Sequence, residues 1–372
     1  MIDKQIYRLW VGALGLAVSA LFALPADAAA KRSTIVVKSA KKASPSAKRL
    51  VRARYVVPPS YGRQFGLHAA DDPLDLRSAA ALVLDQDTNE VLLSKNSEAV
   101  LPIASITKLM TALVVADAKQ PLDEPLTVNA QDIDTEKGSR SRLQLGTTLT
   151  RGEMLHLALM ASENRAANAL GRHYPGGLAA FVEAMNRKAR VLGMKHTRFV
   201  EPTGLSSRNQ SNAMDLALLM REAGKHEVIR SLSTSHGAAV AVGRRSLHFR
   251  NTNSLVRNGK WDIGLQKTGY IAEAGRCVVM QAQLAGRKLL LVLLDSTGRY
   301  SRVGDAERIR HWLSGTTAAA ALVAPAAAAA ATVETVAPQA PTLGDEGEDD
   351  EGESESESEG EGEGEGDVQP PL

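Results

Sequence analysis

Residues 102–115 read PIASITKLMTALVV and have the pattern of a helix that packs into the core of a domain. Apolar residues recur at i, i+3, i+4, i+7 and i+8, which is the spacing of one buried helix face: Ile106, Leu109, Met110, Leu113 and Val114. Lys108 lies in the first turn of this helix, where the unpaired N–H groups disfavour a cation and favour Asp or Glu. A residue that breaks a local rule in this way indicates a functional site.

The lysine shares a helix face with Ser105, one turn earlier. If Ser105 were only an N-cap, the residue three positions on would be Glu or Gln, completing a capping box. Ser-x-x-Lys is common by chance, so both a cap and a catalytic pair stay open at this point.

The two ends of the 372-residue chain differ in composition from its middle. Residues 1–28 have the pattern of a signal peptide, with Lys4 and Arg8 before the apolar run 9–24 and Ala-Asp-Ala at 26–28. A membrane anchor is the alternative, but a spanning helix needs about 20 apolar residues. We expect cleavage near Ala28 and export to the periplasm.

A basic linker is predicted over residues 29–72, since residues 31–54 hold nine Lys or Arg and no acid. Residues 316–372 are predicted to be an Ala/Pro-rich and acidic low-complexity tail, with 14 Asp or Glu in residues 345–367. The remaining 73–315 form the expected catalytic domain. Its basic excess suits an anionic target, and nucleic acid is excluded as a partner for an exported protein.

Strand patterns occur at both ends of this domain. Residues 79–95 contain two apolar runs around a turn at 87–89, which predicts a hairpin. Residues 276–295 repeat the pattern around 285–287, with a further strand predicted at 264–271. The single cysteine, Cys277, falls within this second hairpin, so no internal disulfide forms and the side chain is expected in the core.

Helices are predicted between the two hairpins. A capping box at residues 150–153 precedes the apolar run MLHLALMA, and amphipathic patterns follow at 181–192, 214–223 and 305–313. Strands from both ends with helices between them indicate an α+β domain in which helices cover an antiparallel sheet.

Two further short motifs indicate that the Ser105/Lys108 pair belongs to a larger catalytic motif set. Ser162-Glu163-Asn164 forms a polar break between two helix patterns, and Lys267-Thr268-Gly269 lies within a predicted strand. Ser-x-x-Lys, Ser-x-Asn and Lys-Thr-Gly in this order form the motif set of penicillin-binding proteins and class A β-lactamases.

The chain resembles the D-alanyl-D-alanine endopeptidase branch of the low-molecular-mass penicillin-binding proteins. The likeness extends beyond the motifs to PIASITKLMTALVV, LALMASENRAANALGRHYPGG, MKHTRFVEPTGLS, FRNTN and KTGY, which sample most of residues 75–314. It implies a penicillin-binding protein / serine β-lactamase-like fold, with a five-stranded antiparallel sheet and a helical region. It also implies a penicillin-sensitive hydrolase that cuts D-alanyl-diaminopimelate cross-links in peptidoglycan, with no cofactor and no metal.

The resemblance assigns a role to each motif residue. Ser105 is the expected nucleophile, and Lys108 its base, once burial and the nearby Lys267 depress the pKa of the amine. Ser162 is expected to relay a proton to the leaving amine and Asn164 to hold the substrate amide. The other expected roles are carboxylate binding by Lys267 and Thr268, close backbone approach at Gly269, and an oxyanion hole from the N–H groups of Ser105 and Tyr270.

Several other functions are weighed against this one. The chain has no His-Glu-x-x-His motif for a metallopeptidase, and Glu201 in EPTGLS does not fit the deacylating glutamate of a β-lactamase. A carboxypeptidase that trims pentapeptide stems is the main alternative, but an extra β-rich domain and an amphipathic anchor are missing, so no stable membrane anchor is expected. A cell-wall scaffold with vestigial acylation is a lesser alternative. The expected partners are peptidoglycan peptide stems and, as covalent inhibitors, β-lactam antibiotics.

Overall fold

A computed structural model describes residues 58–330 of the chain, with side chains over residues 58–315. Within this part, a five-stranded antiparallel sheet has the strand order β2-β1-β11-β10-β9, and most of the helices come between β2 and β9 in sequence. The strands are β1 (Ser78–Asp85), β2 (Val91–Lys95), β3 (Leu101–Pro102), β4 (Pro125–Thr127), β5 (Thr148–Thr150), β6 (Gln210–Ser211), β7 (Gly237–Val242), β8 (Arg245–Arg250), β9 (Asp262–Ile271), β10 (Gly275–Leu284) and β11 (Arg287–Ser296).

The α-helices vary from a single turn to eight turns. They are α1 (Tyr61–Gln64), α2 (Thr107–Asp117), α3 (Arg151–Met160), α4 (Asn164–Arg172), α5 (Gly177–Val191), α6 (Ala213–Ala223), α7 (Glu227–Thr234), α8 (Ser254–Arg257) and α9 (Ser301–Ala330). Short 3-10 turns at Leu67–Ala69, Ala104–Ile106 and Ala130–Asp132 complete the described elements.

Both faces of the sheet are covered, which explains why its central strands are apolar almost without interruption. Successive side chains of a strand point to opposite faces. Leu82 of β1 therefore packs into the cluster that contains Leu109 of α2, whereas Val83 packs into the cluster that contains Ile309 of α9. All eight residues of β1 are buried. The α+β fold with a five-stranded antiparallel sheet is confirmed.

The predicted hairpins and helices are present. β1 and β2 form the first hairpin, β10 and β11 the second, and β9 extends antiparallel to β10. The Thr150 side chain caps α3 in a capping box with Glu153, as predicted. Helix α9 begins at Ser301 rather than at residue 305 and continues into the segment that composition predicts as tail.

Two predictions near the catalytic stretch need correction. Helix α2 is not amphipathic, because every residue from Thr107 to Val115 is buried, including Lys108. The first residues of the stretch belong to β3 and a 3-10 turn, so the helix begins at Thr107.

The predicted linker over residues 29–72 is folded in its described part, residues 58–72. The Gly62 N–H donates to the Asp295 carboxylate at 2.8 Å, and the buried Asp72 carboxylate accepts from the Lys95 ammonium at 2.8 Å. These contacts join the segment to the sheet, because the partners come from β11 and β2. The predicted signal peptide, the rest of the linker and the acidic run lie outside the described residues.

Candidate active site

A strained turn presents Ser105 at the entrance to α2. Ala104 has φ of +47°, a left-handed conformation that is uncommon for a residue with a Cβ. The Ile103 N–H donates to the Asn209 carbonyl at 3.1 Å, which fixes the chain on one side of the turn. Ser105 does not cap α2: its hydroxyl contacts Lys108 and, at 3.4 Å, the Thr203 carbonyl. The structure therefore excludes the cap and pairs the Ser105 hydroxyl with the Lys108 amine.

The Lys108 amine lies at the centre of the site and is completely buried. Its Nζ is 2.9 Å from Ser105 Oγ, 2.7 Å from Asn164 Oδ1 and 2.5 Å from the Thr203 carbonyl. Two of these partners are carbonyl oxygens, which can only accept, and the third is a hydroxyl, which can also donate. A neutral amine can therefore donate to both carbonyls while its lone pair accepts the Ser105 hydroxyl proton.

Burial lowers the pKa of Lys108 to about 8, while the negative charges of Glu201 and Glu163 act in the opposite direction. Desolvation is thus the cause that the sequence analysis named. The pKa of Lys267 is also held well below its ordinary value, because this side chain is buried and the charges of Lys108 and Arg302 repel its ammonium group. At neutral pH the free base of Lys108, which can accept a proton, is therefore present as the minor form.

The Ser-x-Asn motif lies at the junction of α3 and α4, and its two polar residues differ in their contacts. Asn164 is the first residue of α4, with Oδ1 accepting from Lys108 and Nδ2 donating to Ser139 Oγ at 3.0 Å. Ser162 has φ of +60° and its side chain makes no hydrogen bond to another described residue. The structure thus joins Asn164 to the catalytic pair, and Ser162 is not linked to it directly.

Strand β9 carries the third motif past the turn at Ser105. Lys267 and Thr268 are buried, with Lys267 Nζ donating to the Thr268 carbonyl at 2.9 Å and the Thr268 hydroxyl 2.6 Å from that of Thr252. A Cβ on Gly269 would lie 3.0 Å from the Ser105 nitrogen, so glycine permits the strand to approach the turn itself. Tyr270 follows with 56% of its side chain exposed.

Sequence reasoning missed a supporting loop at residues 201–206. The Glu201 carboxylate accepts from the N–H groups of Thr203 and Gly204, each at 2.6 Å, and from the Asn209 side chain at 2.9 Å. The loop holds the Thr203 carbonyl against Lys108. Glu201 thus has a positional role, which agrees with its rejection as a deacylating glutamate.

Arg302 at the start of α9 was also missed. It is mostly buried behind β9, where its guanidinium donates to the carbonyls of Gly269, at 3.4 Å, and Cys277, at 3.3 Å. No local sequence signal marks either Arg302 or the Thr203 carbonyl as part of the site. Only the packing of α9 and of the 201–206 loop brings them there.

Gly204 should be the least replaceable residue of this loop. It has φ of +83°, and a Cβ there would lie 1.9 Å from the Ala104 carbonyl oxygen. Gly204→Ala should lower the free energy of unfolding by at least about 2 kcal/mol, through backbone strain plus the displaced turn. Gly286→Ala is the matched control, because Gly286 has φ of +77° and open space around it. Denaturant titration of both variants makes the comparison, and equal losses would contradict the clash.

The geometry places a serine hydroxyl against a buried lysine amine, which is the arrangement of a serine peptidase-type site. The sequence profile of a family described as D-alanyl-D-alanine carboxypeptidase matches residues 67–298. The chain therefore belongs to this peptidase family. It is 49% identical over 241 residues to a Pseudomonas aeruginosa D-alanyl-D-alanine endopeptidase and 46% identical over 241 residues to one from Escherichia coli, covering 64% of this chain and 78% of each relative.

Solved structures give the same result for the fold. The D-alanyl-D-alanine carboxypeptidase of Mycobacterium tuberculosis has a TM-score of 0.59 at 25% identity, covering 65% of this chain and 92% of that chain. A variant of a Streptomyces DD-transpeptidase has a TM-score of 0.59 at 26% identity, covering 64% of this chain and 98% of that chain. The penicillin-binding protein fold is confirmed.

Proposed function

We propose that the protein is a periplasmic serine D-alanyl-D-alanine endopeptidase that hydrolyses D-alanyl-diaminopimelate cross-links in peptidoglycan. The observation that carries the chemistry is the 2.9 Å contact between Ser105 Oγ and the buried Lys108 amine. The choice of bond is supported by the two endopeptidase relatives at 49% and 46% identity. Export rests on the signal-peptide pattern of residues 1–28.

Acylation begins when the neutral Lys108 amine accepts the Ser105 hydroxyl proton and Ser105 Oγ bonds to the D-alanine carbonyl carbon. The N–H groups of Ser105 and Tyr270 stabilise the oxyanion. Collapse breaks the bond to the amine nitrogen of the second stem, and the proton reaches that nitrogen through Ser162. Water then hydrolyses the ester, which releases the D-alanine carboxylate and regenerates Ser105.

Substrate binding is assigned to the cleft walls around this pair. The Lys267 amine and the Thr268 hydroxyl provide hydrogen-bond donors for the substrate carboxylate, and the nearby Arg302 provides positive charge. Asn164 reaches the substrate amide from the opposite wall, but in the free protein both ends of its side chain already have partners, Lys108 and Ser139. Substrate binding therefore has to replace at least one of these contacts.

A carboxypeptidase is the second candidate, because the family also contains enzymes of that name, such as a Bacillus subtilis relative at 30% identity over 248 residues. Both activities use the same acyl-enzyme and differ in the amine that leaves. Mass spectrometry of purified sacculi after digestion separates them. Loss of cross-linked dimers with gain of monomers supports the endopeptidase, whereas loss of terminal D-alanine alone supports the carboxypeptidase.

The same experiment tests a scaffold role with vestigial acylation. Formation of neither product supports that role, and formation of either product excludes it.

Among the described residues, no helix is both long enough and apolar enough to cross a membrane.

A further inference from the structure

A basic pocket of about 340 Å³ lies at the far end of β9, one residue beyond the Lys-Thr-Gly motif. Three arginines from separate segments line it: Arg63, Arg276 and Arg299. Tyr270 forms the wall toward the active site and Gly275 the turn behind it. The volume suits a small polar group attached to a larger ligand.

The three guanidinium groups have no acidic partner among the described residues. Arg276 lies over the Tyr270 ring, 4.6 Å from the centroid, a contact that positions the cation without neutralising it. Asp295 is the carboxylate in the wall, but it is buried and accepts from the Gly62 N–H at 2.8 Å. The pocket therefore retains net positive charge and fits an anion.

Strand direction shows which part of the substrate reaches this pocket, on the basis of the proposed function. β9 is an edge strand, bonded on one side to β10. With the substrate carboxylate at Lys267 and Thr268 and the scissile carbonyl at the Tyr270 N–H, the chain before the scissile bond must continue past Tyr270. At about 3.3 Å per residue, the pocket lies one or two substrate residues further.

We propose that this basic pocket binds a free carboxylate of the acyl-donor stem, with Arg276 as its anchor. The diaminopimelyl residue that precedes the cleaved D-alanine carries such a carboxylate. The pocket then selects the donor stem, separately from the carboxylate on the other side of the scissile bond. A planar guanidinium fork binds a carboxylate through two hydrogen bonds, which a lysine does not match.

The test compares two synthetic cross-linked peptides that contain the D-alanyl-diaminopimelyl bond and whose donor stem carries either diaminopimelate or its amidated form. The wild-type kcat/KM should be about tenfold higher for the free acid, mainly through KM, because one charge-assisted contact is lost on amidation. Arg276→Gln and Arg299→Gln should each reduce this ratio, and the double variant should bring it near one.

Arg190→Gln is the matched control, because Arg190 lies on α5, is exposed, and does not line the pocket. It should keep the wild-type ratio. A fluorescent penicillin titrates the active sites in each preparation, so a wild type that does not label contradicts the proposed function itself. A labelled wild type with equal kcat/KM for both peptides, or an arginine double variant that keeps the ratio, would overturn the pocket assignment alone.

Discussion

Ser105→Ala should abolish covalent labelling by a fluorescent penicillin and all hydrolysis of cross-linked muropeptides. The substitution removes the oxygen that forms the acyl ester, and no other described hydroxyl or thiol lies within hydrogen-bonding distance of Lys108 Nζ. Loss of the nucleophile typically leaves only the small acceleration due to binding and the oxyanion hole. Gel fluorescence after incubation with the penicillin, and product analysis by mass spectrometry, measure both effects.

The variant should nevertheless fold. Ser105 does not cap α2, and its hydroxyl contributes only the 2.9 Å contact with Lys108 and a 3.4 Å contact with the Thr203 carbonyl. The free energy of unfolding should change by about 1 kcal/mol, the usual value of one hydrogen bond. Ser94→Ala on β2 is the control: it deletes the same atom at an exposed site and should label normally. Labelling of a folded Ser105→Ala protein would refute the nucleophile assignment.

The sheet could be predicted because its strands carry strong local signals. The β1 and β10–β11 segments are apolar and β-branched around short polar turns, and those signals do not depend on distant residues. The β7–β8 hairpin was missed because β7 consists of small and mixed residues, GAAVAV, half of them exposed. Its pairing with β8 decides the structure there, and a single-segment pattern does not contain that information.

The active site was predictable only in its side chains. Motif order identified Ser105, Lys108 and Asn164, which the structure places within 3 Å of one another through the amine. The third partner of Lys108 is the backbone carbonyl of Thr203. Every residue type has this group, so the sequence does not mark Thr203 as part of the site. Glu201 positions the loop through its carboxylate, whereas the sequence analysis considered this residue only as a deacylating glutamate.

The charges that set the pKa of Lys108 could not all be predicted from the sequence, for a related reason. Sequence order places Lys267 in the same cleft, but the balance of charges around Lys108 includes Glu201 and Glu163, which favour its protonated form. The lowering of the Lys108 pKa by burial has to exceed the raising by both carboxylates before the pKa falls below its ordinary value. Such a balance depends on distances across three separate segments, so motif spacing alone does not give it.

Lys108→Arg should reduce the rate of penicillin acylation by about 10²–10⁴, about as much as Lys108→Ala does, because that is the usual cost of losing a catalytic base and the guanidinium keeps its proton. Lys108→Gln tests the same point without a buried charge, in case the arginine variant does not fold. Lys195→Arg, at an exposed position, is the matched control and should acylate like the wild type. Stopped-flow or quenched labelling gives the rates.

The pH dependence separates a base from a fixed charge. Because burial lowers the pKa of Lys108 to about 8, the reactive amine is the minor form below that pH. The wild-type acylation rate should therefore rise about tenfold per pH unit below the inflection and become constant above it, as the neutral fraction does. If Lys108 acted only as a positive charge, the rate would instead fall as pH rises through 8. A rate that falls as pH rises would exclude the general-base role. A folded Lys108→Arg variant that keeps more than about a tenth of the wild-type rate would also exclude it, because loss of basicity would then account for less than about 1.4 kcal/mol of the barrier.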